Sequence, residues 1–346
     1  MKMSKKRKVL IVFEVLFLLG VMAGMFLLYG PYSWLRDTII TSAMTTMNHQ
    51  WIARLVYSDK VIEEVMANNV VIEPEEDTVT AFIEIKNITE QETYANEYEE
   101  AILKKDEGND LYKIIPVEGY VSPVHYYKGY LVAIYDPSRV KLAVTKYLGS
   151  RGEYITDIAK NNNAKIAINA SGYEDPDWMG NGGAPTGTVI KDGKIVWGAG
   201  SGRVNIIGFN NDNILVLARM TPQEAISNGI RDAISFSPFL IVNGKAAFVK
   251  GSGGWGIAPR TAIGQRQDGI VLFLVIDGRQ AHSIGADMVD LTEIMQRYGA
   301  YNAANVDGGS SSTLIENSEL ITKPTAAGKD NADSRALGLP PALSYT

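Results

Sequence analysis

The longest apolar segment of the chain lies near its N-terminus. Basic residues at positions 2, 5, 6, 7 and 8 precede an apolar run from Val9 to Tyr29 that Glu14 alone interrupts. A helix of that length covers about 30 Å, the thickness of the bilayer hydrocarbon. The pattern predicts that residues 1–30 form a basic cytoplasmic tail and one transmembrane helix in the cell membrane, with the rest of the chain outside. The alternative is a signal peptide cleaved near Ala23, but the apolar run continues beyond that site.

Residues 31–110 carry a helical pattern followed by an acidic one. Apolar side chains recur at steps of three and four residues at Ile40, Met44, Met47, Trp51 and Leu55. The spacing predicts an amphipathic helix over 33–68, broken near 58–59, that packs on the following domain or lies at the membrane surface. A stalk or a dimerising coil stays open, although the seam is too short for several heptads. The acidic residues 73–110 predict a linker with one short strand at 80–85.

From Leu111 the pattern changes to short β-type runs separated by glycine, asparagine and aspartate. The predicted strands are residues 130–135, 140–146, 165–169, 187–190, 194–196, 214–217, 239–242, 261–265, 270–276 and 304–306. Helices are predicted at 155–161 and 288–298, and the pairs Asp192-Gly193 and Asn243-Gly244 predict tight hairpin turns. The predicted fold class is therefore α+β. Residues 111–346 form a mixed, largely antiparallel β-sheet core with flanking helices, preceded by the single transmembrane helix.

Composition narrows the possible chemistry. The formal net charge is −6 and the pI is near 5.3, which argues against a nucleic acid partner, because phosphate neutralisation needs a basic face. The chain has no cysteine and 3 histidines, so thiolate nucleophiles are excluded and a histidine-rich metal site is nearly so. Any catalysis must therefore use carboxylates, hydroxyls, amides and arginines. Neither the composition nor the hydrophobic pattern of the sequence indicates an oligomeric state.

Glycine-rich polar segments follow several predicted strands. They are residues 169–173 with 182–187, 251–264, 276–279 and 305–312. A strand fixes the first residue of such a loop, and its glycines let a ligand approach the backbone. Together these segments predict a binding or catalytic site.

Three familiar motifs are only partly matched in or near these segments. Glycines at 251, 253 and 256 have the spacing of a dinucleotide loop, but Pro259 prevents the helix that should follow. The serines 310–312 lack the glycine and the nearby histidine expected of a serine hydrolase. Asp175 and Asp177 ahead of Gly180 partly match a calcium loop, which leaves a divalent cation such as calcium possible and no cofactor certain.

Five ordered blocks resemble the phosphodiester glycosidase family. They are Asn169-Ala-Ser-Gly172, Pro185-Thr-Gly187, Pro259-Arg-Thr-Ala-Ile-Gly264, Asp277-Gly-Arg279 and Asn305-Val-Asp-Gly-Gly-Ser310, and the resemblance extends over residues 111–343. It implies an extracytoplasmic hydrolase of sugar-1-phosphodiester linkages in cell-surface polysaccharide or teichoic-acid-like substrates. The alternative is a non-catalytic carbohydrate-binding or assembly module in exopolysaccharide biosynthesis, for which Trp178, Trp197 and Trp255 offer aromatic platforms.

The resemblance also implies which residues form the site. An oxocarbenium-like transition state needs a carboxylate near the anomeric carbon, and Asp307 and Asp277 are the catalytic candidates. The guanidinium groups of Arg260 and Arg279 would hold the phosphate. The other substrate-binding candidates are Asn169, Thr186, Asn305, Gly308, Gly309, Ser310 and Ser311.

Some of these residues have a purely structural alternative. Asp277 could cap the turn at Gly278, and either arginine could belong to a structural ion pair. His282 follows the same loop and could enter the site, although a single loop histidine is more often a surface residue.

Overall fold

The computed structural model describes residues 4–46, 49–88, 93–174, 182–325 and 342–345. The helices in these ranges are α1 (Lys5–Tyr29), α2 (Ser33–Met44), α3 (Gln50–Val56), α4 (Asp59–Asn68), α5 (Glu97–Leu103), α6 (Ile155–Asn161), α7 (Pro222–Ser227) and α8 (Met288–Arg297). The strands are β1 (Val70–Ile72), β2 (Tyr112–Ser122), β3 (His125–Ile134), β4 (Val140–Ala143), β5 (Ile166–Asn169), β6 (Val189–Lys191), β7 (Lys194–Trp197), β8 (Val204–Asn210), β9 (Leu215–Met220), β10 (Ile230–Ser235), β11 (Phe239–Val242), β12 (Lys245–Ala246), β13 (Phe248–Lys250), β14 (Arg260–Arg266), β15 (Val271–Ile276), β16 (Ala300–Val306), β17 (Leu314–Glu316), β18 (Glu319–Leu320) and β19 (Ala342–Tyr345).

The central sheet forms the middle layer of the domain. Its strand order is β12-β11-β16-β14-β15-β3-β2, and every neighbouring pair is antiparallel. One face packs on α5 and α8 through a cluster that includes Leu274 and Leu291. The other face packs on the remaining sheets through a cluster that includes Phe209 and Phe273. This arrangement confirms the predicted α+β class with largely antiparallel sheets.

Two smaller sheets cover that second face. Their strand orders are β7-β6-β10-β8-β9 and β18-β17-β5-β19-β4, again antiparallel throughout. Helix α6 packs against the second of these through Ile155 and Ile158. Strands β1 and β13 form a separate antiparallel pair.

Burial on both faces explains why the central strands were predictable. All six residues of β15 are buried, and so are all four of β11. A strand covered on both sides reads as an unbroken apolar run instead of an alternating one. The ten predicted strands and the helices at 155–161 and 288–298 are confirmed within a few residues.

The N-terminal helices form a module of their own beside the sheet domain. Helix α1 is 25 residues long, its best window has a mean hydropathy of 2.6, and it is exposed along its length, so it is long and apolar enough to cross a membrane. Helices α2 to α4 share a small core around Ile40, Ala53 and Val65. The predicted break near residues 58–59 is confirmed. The prediction of unbroken helix before it is wrong, because α2 ends at Met44 and α3 begins at Gln50.

The predicted strand at 80–85 is also wrong. Residues Thr80–Phe82 form a 3₁₀ turn, in which the Ile83 amide donates to the Thr80 carbonyl at 3.1 Å. The Glu84 amide then donates to the Gln267 carbonyl at 2.9 Å, so this segment caps the β14–β15 turn instead of joining a sheet. The predicted boundary between 31–110 and 111–346 stays a prediction.

Nine of the described strands were not predicted, namely β1, β2, β8, β10, β12, β13, β17, β18 and β19. In β2, Pro116 and Gly119 break the pattern, and they are tolerated because β2 is an edge strand of the central sheet. Gly208 interrupts the apolar pattern of the interior strand β8, where a side chain would collide with Ala233 of the neighbouring strand β10.

Phe209→Ala tests the core between the layers. Phe209 is fully buried, so its loss should destabilise the fold by about 3–5 kcal/mol and lower the thermal unfolding midpoint of the detergent-solubilised full chain. Phe248→Ala is the matched control, because Phe248 is 65% exposed and should change stability by less than about 0.5 kcal/mol. Equal midpoints for the two variants would contradict this description of the core.

Candidate functional site

Three neighbouring strands of the central sheet bring the candidate residues to one edge. Arg260 begins β14, while Asp277 follows β15 and Asp307 follows β16. Strand β14 is antiparallel to both neighbours, with Arg260 opposite Ile276 and Thr261 opposite Val306. Its first residue therefore lies level with the last residues of β15 and β16.

Asp307 is half-buried at this edge, and its backbone amide donates to the Ala170 carbonyl at 2.8 Å. Burial raises the pKa of the Asp307 carboxyl to about 7, even though hydrogen bonds from the Ser311 hydroxyl and the Gly308 amide and the charge of Arg260 favour the ionised form. A carboxyl group with this pKa is partly ionised at neutral pH. It can therefore gain or lose a proton during a reaction.

Asn169 lies directly behind Asp307 and is fully buried. Its Nδ2 donates to the Asp307 carbonyl at 2.6 Å, and its Oδ1 accepts from the Thr261 hydroxyl at 2.8 Å and from the Thr313 amide at 3.0 Å. Asn169 thus joins the ends of β5, β14 and β16 and fixes the loop that carries Asp307.

Gly172 packs closely beside Asp307. A Cβ atom on Gly172 would lie 3.0 Å from Thr186 Oγ1, 3.4 Å from the Phe236 ring and 3.8 Å from Asp307 Oδ1. The first two distances are tighter than ordinary contacts, so the absence of a side chain at position 172 lets Thr186 and Phe236 approach the Asp307 carboxylate. Thr186 is exposed here, and its amide donates to the Gly172 carbonyl at 2.9 Å.

The Arg260 guanidinium is buried, with 4% of the residue exposed. Its Nε donates to the Ala286 carbonyl at 3.2 Å, and its Nη2 donates to the carbonyls of Gly256 at 2.6 Å and of Trp255. Burial and the charge of Arg279 lower the pKa of Arg260 to about 10, so it keeps its charge at neutral pH. Within the described residues it forms backbone hydrogen bonds and no ion pair, and these bonds use Nε and Nη2 but not Nη1.

A carboxylate cluster at the start of α8 lies near Arg260 and raises its pKa in part. Asp287 accepts from the Val289 and Asp290 amides at 2.8 and 3.0 Å, and Asp290 accepts from the Asp287 amide at 2.9 Å. His125 Nε2 lies 2.6 Å from Asp290 Oδ2. Burial and the charge of Asp290 raise the pKa of Asp287 to about 6.

These three side chains have metal-ligand chemistry, with ligand atoms within 4.8 Å of one another. Helix capping and the histidine hydrogen bond already account for the observed contacts of Asp287, Asp290 and His125. The cluster therefore needs no metal to explain it. The calcium-like segment with Asp175 and Asp177, and the platform candidate Trp178, lie outside the described residues.

Arg279 reaches the site from the loop after β15. Its φ is +56°, a left-handed backbone conformation that is uncommon for a residue with a side chain. A Cβ atom on Gly309 would lie 3.7 Å from Arg279 Nη1, so the exposed guanidinium lies beside the glycine loop that follows Asp307.

The two candidate carboxylates do not contact a shared partner among the described residues. Asp277 is 6% exposed, lies 3.0 Å from His282 Nε2 through Oδ2, and accepts from the Lys323 amide at 2.9 Å through Oδ1. Strand β14 separates it from Asp307, and two strand spacings amount to about 10 Å. Asp277 thus fixes the Arg279 loop and holds His282.

The remaining candidates lie around the loop after β16. Ser311 donates to Asp307, whereas Ser310 is half-buried beside it on the same 3₁₀ turn. The Gly309 amide donates to the Pro259 carbonyl at 2.8 Å. A Cβ atom on Gly308 would lie 2.9 Å from the same carbonyl oxygen, so this loop packs closely against β14.

Asn305 lies below this loop and is 1% exposed. Its Nδ2 donates to the Ser237 carbonyl at 2.9 Å, and its buried Oδ1 has no hydrogen-bond partner among the described residues. The Ser312 and Thr313 hydroxyls are likewise buried without a partner in the part of the chain that the structure describes. Unpaired buried acceptors and hydroxyls are costly, and they concentrate here around the Asp307 loop.

Phe236 was not singled out by the sequence, whereas Trp255 was named as a candidate aromatic platform. Their ring centroids lie 6.2 Å apart with an interplanar angle of 43°, so together they form one aromatic wall next to Gly172 and Asp307. In the sequence, only their aromatic character and their position near polar loops pointed to these two residues.

Comparisons of sequence and structure show which known proteins this chain is similar to. The family model described as phosphodiester glycosidase matches residues 162–339. The SPbeta prophage-derived uncharacterized protein YomE of Bacillus subtilis (strain 168) is 31% identical over 194 residues, which are 53% of this chain and 29% of that protein. The N-acetylglucosamine-1-phosphodiester alpha-N-acetylglucosaminidase of Mus musculus is 25% identical over 162 residues, 42% of this chain and 31% of that enzyme. The chain thus spans less than a third of the length of these relatives.

A solved structure shares the fold. The zebrafish N-acetylglucosamine-1-phosphodiester alpha-N-acetylglucosaminidase catalytic domain, auto-inhibited by its pro-peptide, superposes with a TM-score of 0.57 at 19% identity and covers 70% of this chain and 85% of that one. The family model covers about half of the chain. The chain therefore belongs to the phosphodiester glycosidase family.

Proposed function

We propose that this chain hydrolyses sugar-1-phosphodiester linkages, with Asp307 as the reacting carboxylate. The observation that carries the proposal is the environment of Asp307, whose pKa burial raises to about 7. Its carboxylate lies near the exposed Thr186 at the end of the central strands, and the charge of Arg260 acts on it. A partly exposed carboxylate with a pKa near the working pH is suited to proton transfer.

In the proposed reaction a water oxygen attacks the anomeric carbon while the bond from that carbon to the phosphate oxygen breaks. Asp307 accepts a proton from the water. The leaving phosphate monoester takes the bonding electrons and is a weak base, so the reaction has little need of a general acid. Arg279 and the Nη1 group of Arg260 balance the phosphate charge.

The buried polar residues serve Asp307 in this proposal. Asn169 holds its backbone, and Ser311 orients its carboxylate. Asp277 is the second candidate carboxylate in this proposal. It contacts His282 and belongs to the loop that carries Arg279, so its effect on the reaction passes through these two residues. Thr186 and Ser310 remain candidates for contact with the sugar or the phosphate, because Thr186 is exposed and Ser310 is half-buried.

We also propose that α1 anchors the chain in the cell membrane with the basic tail in the cytoplasm. The basic residues that flank the apolar run on its N-terminal side support this orientation. The sheet domain then faces outward, toward phosphate-linked glycans such as surface polysaccharides or teichoic-acid-like polymers.

Asp307→Asn should abolish turnover without unfolding the chain. The substitution removes the proton acceptor at nearly constant shape, and loss of a general base lowers kcat/KM by about 10² to 10⁴-fold. The assay follows reducing-end release from a panel of sugar-1-phosphodiesters, with Asp212→Asn in an exposed turn as the matched control. A folded Asp307→Asn variant with normal activity would refute the role of Asp307. Tight glycan binding by a wild-type chain with no turnover would favour the non-catalytic alternative.

The pH profile reports the ionisation of Asp307. A general base must be deprotonated, so kcat/KM should rise as the pH increases through about 7. Ser311→Ala removes a hydrogen bond that favours the carboxylate, which should raise its pKa and move the ascending limb up by about one pH unit. Ser310→Ala removes a neighbouring hydroxyl and should leave the limb in place. A wild-type profile that falls above pH 7 would show that Asp307 acts as an acid instead.

The two arginines should respond differently to replacement by lysine. Arg279→Lys keeps the charge but loses the planar donor pair, so KM for a phosphodiester should rise about tenfold with no change in the unfolding midpoint. Arg260→Lys loses hydrogen bonds to three backbone carbonyls and should also lower the midpoint. An unchanged KM in the Arg279→Lys variant would remove Arg279 from the phosphate site.

A further inference from the structure

The end of α1 is fastened to the helical module α2–α4. The Tyr29 hydroxyl donates to the Val56 carbonyl at 2.6 Å, and the Tyr57 hydroxyl donates to the Leu28 carbonyl at 3.1 Å. The rings of Tyr29 and Tyr57 lie 6.0 Å apart. The last turn of α1 and the junction of α3 with α4 therefore form one packed unit.

The lengths of α2 and α3 limit how far this module extends beyond the end of α1. Helix α2 has 12 residues, so it can rise at most about 18 Å from the end of α1. Helix α3 has 7 residues and returns the chain to Tyr29 over about 10 Å. Gln50 Nε2 donates to the Met44 carbonyl at 3.3 Å, which joins the tops of the two helices. Thr45 accordingly lies at most about 18 Å above the end of α1.

The top of α2 holds the loop at residues 251–257. The Thr45 hydroxyl donates to the Trp255 carbonyl at 3.1 Å, and the Ile257 amide donates to the Ser42 hydroxyl at 3.2 Å. A Cβ atom on Gly256 would collide with the Ser42 backbone at 2.5 Å, so the two segments pack without a gap. The same Trp255 carbonyl accepts a hydrogen bond from Arg260. One carbonyl thus connects the membrane-proximal helix to the candidate active site.

Side chains on α3 also favour contact with the bilayer. Trp51 is 60% exposed and Leu55 is 75% exposed, on a helix whose last residue, Val56, contacts Tyr29. Both lie within about 8 Å of the end of α1 along the helix axis, a distance similar to the thickness of one headgroup layer. Tryptophan is enriched at that interface. Contact of α3 with the interface keeps the module against the membrane and the site close to it.

We propose that the substrate is a membrane-attached glycosyl phosphodiester whose scissile bond lies within about 20 Å of the bilayer, because the packed module holds the site at that height. This inference rests on the proposed hydrolase function and on α1 as a membrane anchor. The required chemistry is a sugar-1-phosphate ester on a lipid, either joined to the lipid directly or carried on a short glycan.

The test uses the full chain in vesicles with one sugar-1-phosphate ester in four forms: lipid-linked directly, linked through a short glycan, linked through a long flexible spacer, and soluble. The key variant carries ten residues of rigid helix between Gly30 and Pro31, which lifts the site by about 15 Å. The matched control carries the same insertion after Gly108. Gly108 lies in an exposed turn before β2, at the opposite end of the central sheet from Arg260.

Wild type and control should cleave a directly linked or short-glycan substrate at least about tenfold faster than the soluble ester. The lifted variant should lose that advantage and keep full activity on the soluble and long-spacer forms. The cleavage rates of the directly linked and short-glycan forms show which of these two lipid-attached substrates the enzyme prefers. Undiminished cleavage of both by the lifted variant would overturn the proposal. Failure to cleave all four forms would instead refute the proposed hydrolase function.

A second measurement does not depend on turnover. Brominated lipids should quench the fluorescence of Trp51 in the reconstituted chain, so Trp51→Phe should lose a large part of the quenching. Trp197→Phe, a change in the sheet domain, should not. Equal quenching in the two variants would show that α3 does not lie at the membrane surface.

Discussion

The buried guanidinium of Arg260 is the constraint around which the site is organised. A charged group removed from water must be hydrogen-bonded or paired, since the cost of leaving it unsatisfied is several kcal/mol. Three backbone carbonyls satisfy it, from Trp255, Gly256 and Ala286. Those carbonyls belong to the loop at 251–257 and to the segment before α8, so both are fixed by the same side chain. The helical module is in turn fixed to that loop through Thr45.

Burial at this edge of the sheet acts in opposite directions on the two charges it contains. It raises the pKa of Asp307 to about 7 and lowers the pKa of Arg260 to about 10. Because the arginine stays protonated at neutral pH, it favours the ionised form of Asp307, and Ser311 adds to that effect. Without these two partners the carboxyl group would titrate still higher. The site therefore holds a carboxylate that is able to exchange a proton near pH 7.

Much of the scaffold could be predicted from the sequence, because strands buried on both faces leave a simple apolar signal. The loops that carry Asp307, Arg260 and Arg279 were also predictable, because glycine-rich segments adjoin the predicted strands at these positions. The direction of each polar side chain was not, because it depends on contacts between distant segments. Asn169 lies at the end of a strand and belongs to the same family-like blocks as the other candidates, yet Thr261 and Thr313 hold it behind the site. The attachment of α2 to the Trp255 carbonyl has no sequence signal, since a backbone acceptor carries no residue identity.

The strand order separates Asp277 from Asp307, and this separation bears on which leaving group the site favours. Glycosidases that act on ordinary glycosides use a pair of carboxyl groups because an alkoxide leaving group needs a proton. A phosphate monoester leaves as a stabilised anion, so charge balance by arginine replaces proton donation. In the proposed reaction strand β14 supplies that arginine, because Arg260 is level with the end of β15 on one side and of β16 on the other. A buried cation whose charge acts on Asp307 then favours an anionic leaving group over a neutral one.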